Sequence, residues 1–351
     1  MDTNKIRKIL ESEQIKSSAP CRIDMGGTLD ISTFYYPLRH FSPCTFNIAL
    51  DYRTEVEILP YNKGQIKVSS RGFESFEEPL INAPFKHPVG LIFAICSYFG
   101  IDGIHININS SSPPKSGLGG SSVAAVALIS CFSKIFQNIG QKALSNDDIV
   151  MLAHGIEESV AGVPCGIQDQ LAAAYGGVNA WYWTGQIQGD KYKKISPLPD
   201  ERLKDLESSS LLCYCGTPHE SKNINSIWVS QFLLGNDRNS WIKIIEITHK
   251  FIEALKLNNY KDAAYFMNKE TEIRLNLTPD VLNEAGKKLY FAAKDNICGA
   301  RFTGAGGGGC IWAIGEKNNI YNLKNDWKII LDSYENACFL DLKIDNKGLN
   351  S

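Results

Sequence analysis

The stretch Pro113-Pro114-Lys115-Ser116-Gly117-Leu118-Gly119-Gly120-Ser121-Ser122 constrains this chain more than any other. It follows Ile104-His105-Ile106-Asn107-Ile108-Asn109, whose strict alternation predicts a strand with one buried face. It precedes the apolar, Ala-rich run Val123 to Ile135, which predicts a buried helix. A glycine-rich loop that opens a helix is an anion-binding device. Glycine lets the backbone approach a ligand closely, and the unpaired N–H groups of the first turn point at the anion along the helix dipole. Ser121 and Ser122 stand where a helix cap or a metal-bound phosphate would want a hydroxyl. The loop is not a G-x-x-x-x-G-K-[ST] phosphate loop, because no lysine follows Gly119 or Gly120, and its spacing is not that of a dinucleotide fingerprint. The plain structural alternative is a Gly/Ser connector with an ordinary helix cap.

Composition narrows the classes. A length of 351 residues suits two domains, or one large one, with a substantial core. A formal charge of -2, with charges mixed along the chain, gives no electrostatic case for a nucleic-acid or membrane partner. The apolar runs fall short of the roughly 18 residues a membrane span needs. Residues 1–18 are polar and charged, unlike a secretory signal. Ile6, Ile9 and Leu10 would share one face of a short helix there. Most of the ten cysteines, such as Cys96, Cys131, Cys298 and Cys310, sit singly in apolar runs and read as small buried hydrophobes. Cys213 and Cys215, with His219 nearby, come closest to a metal cluster but lack paired C-x-x-C spacing. A reducing, cytoplasmic compartment is expected.

Val56 to Ser70 reads as a β-hairpin turning at Asn62-Lys63-Gly64. Pro88 to Phe99 and Asp147 to Val160 read as helices, the second capped by Ser145 or Asn146. Pro164 and Gly166 interrupt, Gln168 to Ala174 begins another helix, and Gly177 to Trp183 reads as a strand. The polar stretch Thr184 to Glu207 is the expected boundary. Beyond it come a strand at Leu211 to Cys215 and helices over Asn225 to Leu257, Asp262 to Glu272 and Pro279 to Lys294. A glycine loop and a strand at Cys310 to Ile314 follow. Strand-rich then helix-rich segments indicate an α+β chain. The expected domains are 1–195 and 196–351.

Three segments together resemble the GHMP kinases (galactokinase, homoserine kinase, mevalonate kinase, phosphomevalonate kinase). The loop at Pro113 to Ser122 resembles the family's second motif. Ala19-Pro20-Cys21-Arg22-Ile23-Asp24-Met25-Gly26-Gly27-Thr28-Leu29-Asp30 resembles its first, and Arg301-Phe302-Thr303-Gly304-Ala305-Gly306-Gly307-Gly308-Gly309-Cys310 its third. They occur in family order and span most of the chain. The resemblance implies an α+β fold of two domains. The N-terminal one would be like the second domain of ribosomal protein S5, the C-terminal one ferredoxin-like, and the active site would lie in the cleft between them.

The resemblance also implies roles. Pro114, Lys115, Ser116, Gly117, Leu118, Gly119, Gly120, Ser121 and Ser122 would cradle ATP. Mg²⁺ would take one hydroxyl and one carboxylate, Ser121 and Glu157, since it prefers oxygen ligands and keeps several waters. Glu158 should point elsewhere. Ala161-Gly162-Val163-Pro164-Cys165-Gly166-Ile167-Gln168-Asp169-Gln170 resembles the segment carrying the catalytic aspartate of galactokinases and of heptose and fucose kinases. Asp169 matches that aspartate, positioned to accept the proton of a sugar hydroxyl or to orient it. Arg22 matches the arginine beside it, and a neighbouring cation lowers a carboxyl pKa. A helix N-terminal carboxylate is the plain alternative for Asp169. Asp30 matches an aspartate that contacts sugar hydroxyls; Gly304, Gly306 and Gly307 would lie at the substrate. Motif one departs from galactokinase: Gly27-Thr28-Leu29-Asp30 stands where Glu-His-x-Asp is usual, nearer the Gly-Gly-x-Asp of heptose-7-phosphate kinases but one residue short. Gly120 replaces a common serine. His219 and Ser221, or Arg39 and His40, are candidates to read a phosphate on the sugar. The adenine pocket is expected between Asn47 and Phe99.

The expected activity is transfer of the ATP γ-phosphate to the anomeric hydroxyl of a sugar or sugar phosphate, heptose 7-phosphate first, then galactose or fucose. A mevalonate-type alcohol kinase and a non-catalytic ATP and sugar sensor remain the alternatives.

Overall fold

A computed structural model describes residues 3–72, 74–162, 164–186, 188–218 and 224–350. The strands are β1 (Ile15–Met25), β2 (Cys44–Pro60), β3 (Gln65–Ser70), β4 (Phe76–Pro79), β5 (Ile104–Ser110), β6 (Val178–Trp183), β7 (Tyr192–Ile195), β8 (Ser210–Tyr214), β9 (Gly299–Phe302), β10 (Cys310–Ile314) and β11 (Cys338–Leu340). The helices are α1 (Thr3–Ser12), α2 (Ser32–Tyr35), α3 (Gly90–Phe99), α4 (Gly120–Asn138), α5 (Asn146–Ala161) and α6 (Gln168–Tyr175). They continue with α7 (Leu203–Ser208), α8 (Ile224–Leu233), α9 (Arg238–Lys256), α10 (Tyr260–Leu277), α11 (Glu284–Asp295) and α12 (Lys317–Leu331).

A seven-stranded sheet runs β4-β3-β5-β2-β6-β7, with β1 paired to β2. β2 is its spine. Cys44 to Ile48 pair with β6, Thr54 to Pro60 pair with β5, and β1 runs antiparallel along both halves with a register shift at Pro20/Cys21. The expected hairpin over 56–70 does not form. β5 lies between its two arms, antiparallel to β2 and parallel to β3. The local turn signal at Asn62 to Gly64 is outweighed by burial. Ile104, Ile106 and Ile108 are buried on one face of β5, and a buried strand needs partners for the backbone groups on both its edges.

The second sheet runs β11-β8-β10-β9, all antiparallel. The two sheets and their helices make the expected α+β architecture. The last residues return to the first sheet, through bridges Leu50 to Ile344 and Ser18 to Asn350 and an ion pair between Arg53 and Asp345.

α4, the helix after the glycine loop, is buried nearly all round and packs on β1, β2, α3, α5 and α6. It is longer than the apolar run Val123 to Ile135. Among the described residues it is long and apolar enough to cross a membrane, but most of it is buried inside the fold, as expected of a central core helix. α5 is capped by Ser145 in a capping box with Asp148. The single helix expected over 225–257 is two, α8 and α9, broken where Asp237 takes a left-handed φ of 57°. The helix expected from Pro279 starts only at the Asn283 cap. No disulfide joins the described cysteines, and no metal-binding cluster of three or more His, Cys, Asp or Glu occurs among the described residues. His219, and with it the weighed Cys213/Cys215/His219 cluster, falls outside them.

Ile106→Ala should therefore lower unfolding free energy by about 2–5 kcal/mol, while Asn107→Ala, exposed on the opposite face of β5, should stay within about 0.5 kcal/mol. Urea denaturation decides this, and equal losses would place β5 elsewhere.

Candidate active site

A cavity of about 450 Å³ opens where the glycine loop, the first motif, the start of α6 and the third motif meet. Pro114, Lys115, Ser116, Gly117, Gly119, Gly120, Ser121 and Ser122 line it. Leu118 does not. It is buried in the core, and its carbonyl accepts the Arg22 N–H at 3.1 Å, which ties the loop to β1. Gly119 has φ 83°, and a Cβ there would lie 2.9 Å from Asp169 Oδ2, so the position tolerates no side chain. A Cβ on Gly120, by contrast, would meet open space, which leaves room for a ligand at the start of α4.

The third motif seats the loop. The Cys310 N–H donates to Ser116 O at 2.8 Å, and a Cβ on Gly309 would lie 2.4 Å from the same oxygen. Gly304 and Ala305 line the cavity. Gly306 and Gly307, expected at the substrate, do not: the Gly307 N–H donates to Val281 O at 2.9 Å and the Gly306 N–H to Thr303 O at 3.3 Å, which turns this part of the loop inward.

Asp169 lies in the first turn of α6. Arg22 donates to its Oδ1 from both Nε and Nη2, each at 2.7 Å, and from Nη1 to Gly117 O at 2.7 Å. This leaves Oδ2 beside Gly119. Burial raises the Asp169 pKa and Arg22 lowers it, and burial is the larger effect. The expected depression is thus reversed, because the guanidinium is itself buried and the carboxylate is largely shielded from water. Asp30 is buried too. Its Oδ2 accepts the Gln168 N–H at 3.0 Å at the mouth of α6, and burial pushes its pKa up to about 6. Asp30 Oδ1 and Gln168 Oε1 are buried without a partner, and both residues line the cavity. Two unsatisfied acceptors in one cavity suit a ligand that brings hydroxyl donors.

Glu157 lies on α5 and lines the same cavity. Ser122 Oγ donates to its Oε2 at 2.8 Å and Gln170 Nε2 at 2.6 Å. Ser121, the hydroxyl expected to share a metal with Glu157, is exposed and lines the cavity without bonding to it. The hydroxyl that reaches the carboxylate comes from the next residue, because α4 begins at Gly120 and turns Ser122 inward. Burial pushes Glu157 up to about 7. A half-buried carboxylate whose partners are a hydroxyl and an amide suits a hard cation, which would favour its ionised form. Glu158 is exposed, as expected.

Ser70, Val89, Leu91, Ile92 and Ile108 also line the cavity, mostly within the range expected for the adenine pocket. Arg39 and His40 form an exposed turn away from the lining. His219 and Ser221 lie outside the described residues.

Sequence reasoning missed the ion chain beneath the cavity. Asp24, Glu270, Arg274 and Arg301 have no exposed surface. Arg301 donates to Asp24 Oδ2 at 2.9 Å and to Glu270 Oε2 at 3.0 Å; Arg274 donates to Glu270 Oε1 at 2.9 Å. Asp24 Oδ1 accepts the Gly304 N–H at 2.8 Å and lies 3.9 Å from Arg22 Nη1. A signal existed. Ala263, Met267, Glu270 and Arg274 share one face of α10, so two charges stand on an apolar stripe.

Residues 86–177 match the family profile described as GHMP kinases N terminal domain. The mevalonate kinase of Pyrococcus horikoshii is 26% identical over 299 residues, covering 76% of this chain and 80% of that protein. The D-glycero-alpha-D-manno-heptose 7-phosphate kinase of Campylobacter jejuni is 29% identical over 227 residues, 61% of this chain and 62% of that protein. Among solved structures, Lactococcus lactis galactokinase complexed with galactose matches with a TM-score of 0.71 at 17% identity, over 99% of this chain and 98% of that one. A D-glycero-D-manno-heptose 1-phosphate kinase from Bacteroides thetaiotaomicron matches at 0.69 and 19% identity, over 95% and 97%. Residues 86–177 therefore match the N-terminal domain of the GHMP kinases, and the chain as a whole has the fold of the kinases it superposes on. The curated proteins it matches are kinases of mevalonate, an alcohol, or of a sugar phosphate.

A carboxylate with a raised pKa holds its proton below that pKa, and a cation binds only the ionised form. Binding of Mg-AMPPNP should therefore weaken as pH falls from 8 to 6, by up to about tenfold per unit below about 7. Glu157→Gln should bind more weakly throughout and lose most of that slope. Titration calorimetry at several pH values measures it. The same slope in both proteins would remove Glu157 from the cation site.

Proposed function

We propose that this protein transfers the γ-phosphoryl group of ATP to the anomeric C1 hydroxyl of a sugar or sugar phosphate, with heptose 7-phosphate the first candidate and galactose or fucose next. The observation that carries the reading is the Arg22–Asp169 pair against Gly119 of the glycine loop. It sets a carboxylate oxygen beside the backbone that would hold the phosphates. Phosphoryl transfer asks the protein mainly for position and electrostatics.

In this reading the loop and the start of α4 hold the triphosphate, and Val89, Leu91 and Ile92 face the base. Glu157, with Ser122 and Ser121, would hold Mg²⁺, which neutralises phosphate charge when bound. Arg22 fixes Asp169 through Oδ1. Oδ2 accepts the proton as the acceptor oxygen bonds to the γ-phosphorus and the bond from that phosphorus to the β-phosphate oxygen breaks, releasing ADP. A pKa raised by burial makes Asp169 a better proton acceptor than an ordinary carboxylate. Asp30 Oδ1 and Gln168 Oε1 would accept hydrogen bonds from hydroxyls of the sugar.

The anomeric position rests on the Gly166-Ile167-Gln168-Asp169-Gln170 run, which resembles sugar 1-kinases. The mevalonate kinases among the relatives favour a second reading, an alcohol acceptor carrying a carboxylate. The unpartnered acceptors of Asp30 and Gln168 suit a polyol better. ADP release from Mg-ATP across hexoses, heptose 7-phosphate and mevalonate separates the two readings. Turnover of a sugar supports the proposal, and turnover of mevalonate alone overturns it. Asp169→Asn should lower kcat by about 10²–10⁴-fold with Mg-ATP binding retained. Unchanged turnover would remove Asp169 from the chemistry.

A further inference from the structure

We propose that Arg274, which lies outside the cavity lining on α10, is a positioning residue for the acceptor. It pins the turn that aims Asp30 into the cavity. The inference rests on the reading that Asp30 meets the acceptor.

The turn is strained. Thr28 is β-branched, yet its φ is 75°, a conformation such residues rarely adopt and one that persists only where the surroundings over-determine it. Its carbonyl accepts the Ile31 N–H at 3.0 Å, closing a turn over 28–31 that carries Asp30. Arg274 supplies the outside restraint. Its Nη2 donates to Gly27 O at 2.6 Å and its Nη1 to Thr28 Oγ1 at 3.2 Å. The guanidinium is itself held, by Glu270 Oε1 at 2.9 Å and over the rings of Trp228 and Trp241, at 4.7 and 4.9 Å from their centroids. Three donors are thus committed in a fixed fork, two to the turn and one to Glu270. A lysine keeps the charge beside Glu270 but cannot span all three acceptors.

The geometry makes Arg274 selective. It touches motif one, while the glycine loop is held by other residues, Arg22, Thr303 and Cys310. Loosening Arg274 should therefore weaken acceptor binding and spare the nucleotide.

The test is Arg274→Lys in the full chain, with two readouts. Hydrogen–deuterium exchange needs no acceptor: peptides over 26–31 should exchange at least tenfold faster, while those over 117–125 stay unchanged. No change at 26–31, or equal acceleration in both segments, overturns the proposal. Steady-state kinetics use D-galactose and D-glycero-D-manno-heptose 7-phosphate as probes. For whichever the wild type turns over, KM should rise at least tenfold, with KM for Mg-ATP within twofold. A fall in kcat with both KM values unchanged overturns the proposal. If the wild type turns over neither sugar, the functional reading fails and the exchange result alone decides Arg274. If Arg274→Lys does not fold, Thr28→Val replaces it. That variant keeps the shape and removes the acceptor of Nη1, and should speed exchange over 26–31 more than Thr28→Ser does; equal effects overturn the proposal.

Discussion

A chain of six charges, five of them buried and the sixth, Asp169, opening on the cavity, holds the site together. Asp169, Arg22, Asp24, Arg301, Glu270 and Arg274 alternate in sign, each within 4 Å of the next. Burying an unpaired charge is expensive, and removing one partner of a buried pair typically costs about 3–5 kcal/mol. The chain is tolerable because three acids meet three arginines and the guanidinium donors find carbonyls, as Arg301 does at Asp24 O and Phe302 O. Such a network gains little stability over a well-packed apolar core, but it permits few arrangements. Any shift between the first motif on β1 and the third motif beside β9 would leave a charge alone.

That restriction is what a transfer site needs. Asp24 accepts the Gly304 N–H, so the third motif is fixed relative to β1. Arg22 joins Asp169 to the carbonyl of Gly117, so the carboxylate is fixed relative to the glycine loop. Asp30 takes the first N–H of α6, the same helix that carries Asp169. Two carboxylates with different partners therefore meet at one helix start, one braced by an arginine and one left with a bare oxygen. Their burial raises both pKa values, which suits groups that exchange protons or bind hydroxyls near neutrality.

The parts of this arrangement written as local patterns were legible in the sequence. The alternation in β5, the glycine loop, the apolar α4 and the Ser145 cap all follow from spacing and residue type. The motifs at Arg22, Asp30 and Asp169 pointed to residues that the fold brings to one cavity. Long-range pairing was not legible. The insertion of β5 between β2 and β3 depends on pairs far apart in sequence, such as Thr54 with Ser110 and Ile66 with Ile104, and no turn residue announces it. Nor could spacing decide whether Ser121 or Ser122 faces Glu157, since one residue of helix phase reverses the answer. Glu270 and Arg274 passed unremarked because a charged pair four residues apart normally marks a solvated helix face. Only tertiary packing shows that this face is the interior.

If the ion chain acts as one unit, its members cannot be removed independently. A double-variant cycle of Asp24→Asn and Glu270→Gln, both bonded to Arg301, read as kcat/KM for the acceptor, tests this most directly. The account predicts that the double variant loses no more than about the larger single loss, because the first break already frees the motifs from each other. Losses that simply multiply would show two unconnected ion pairs and contradict it.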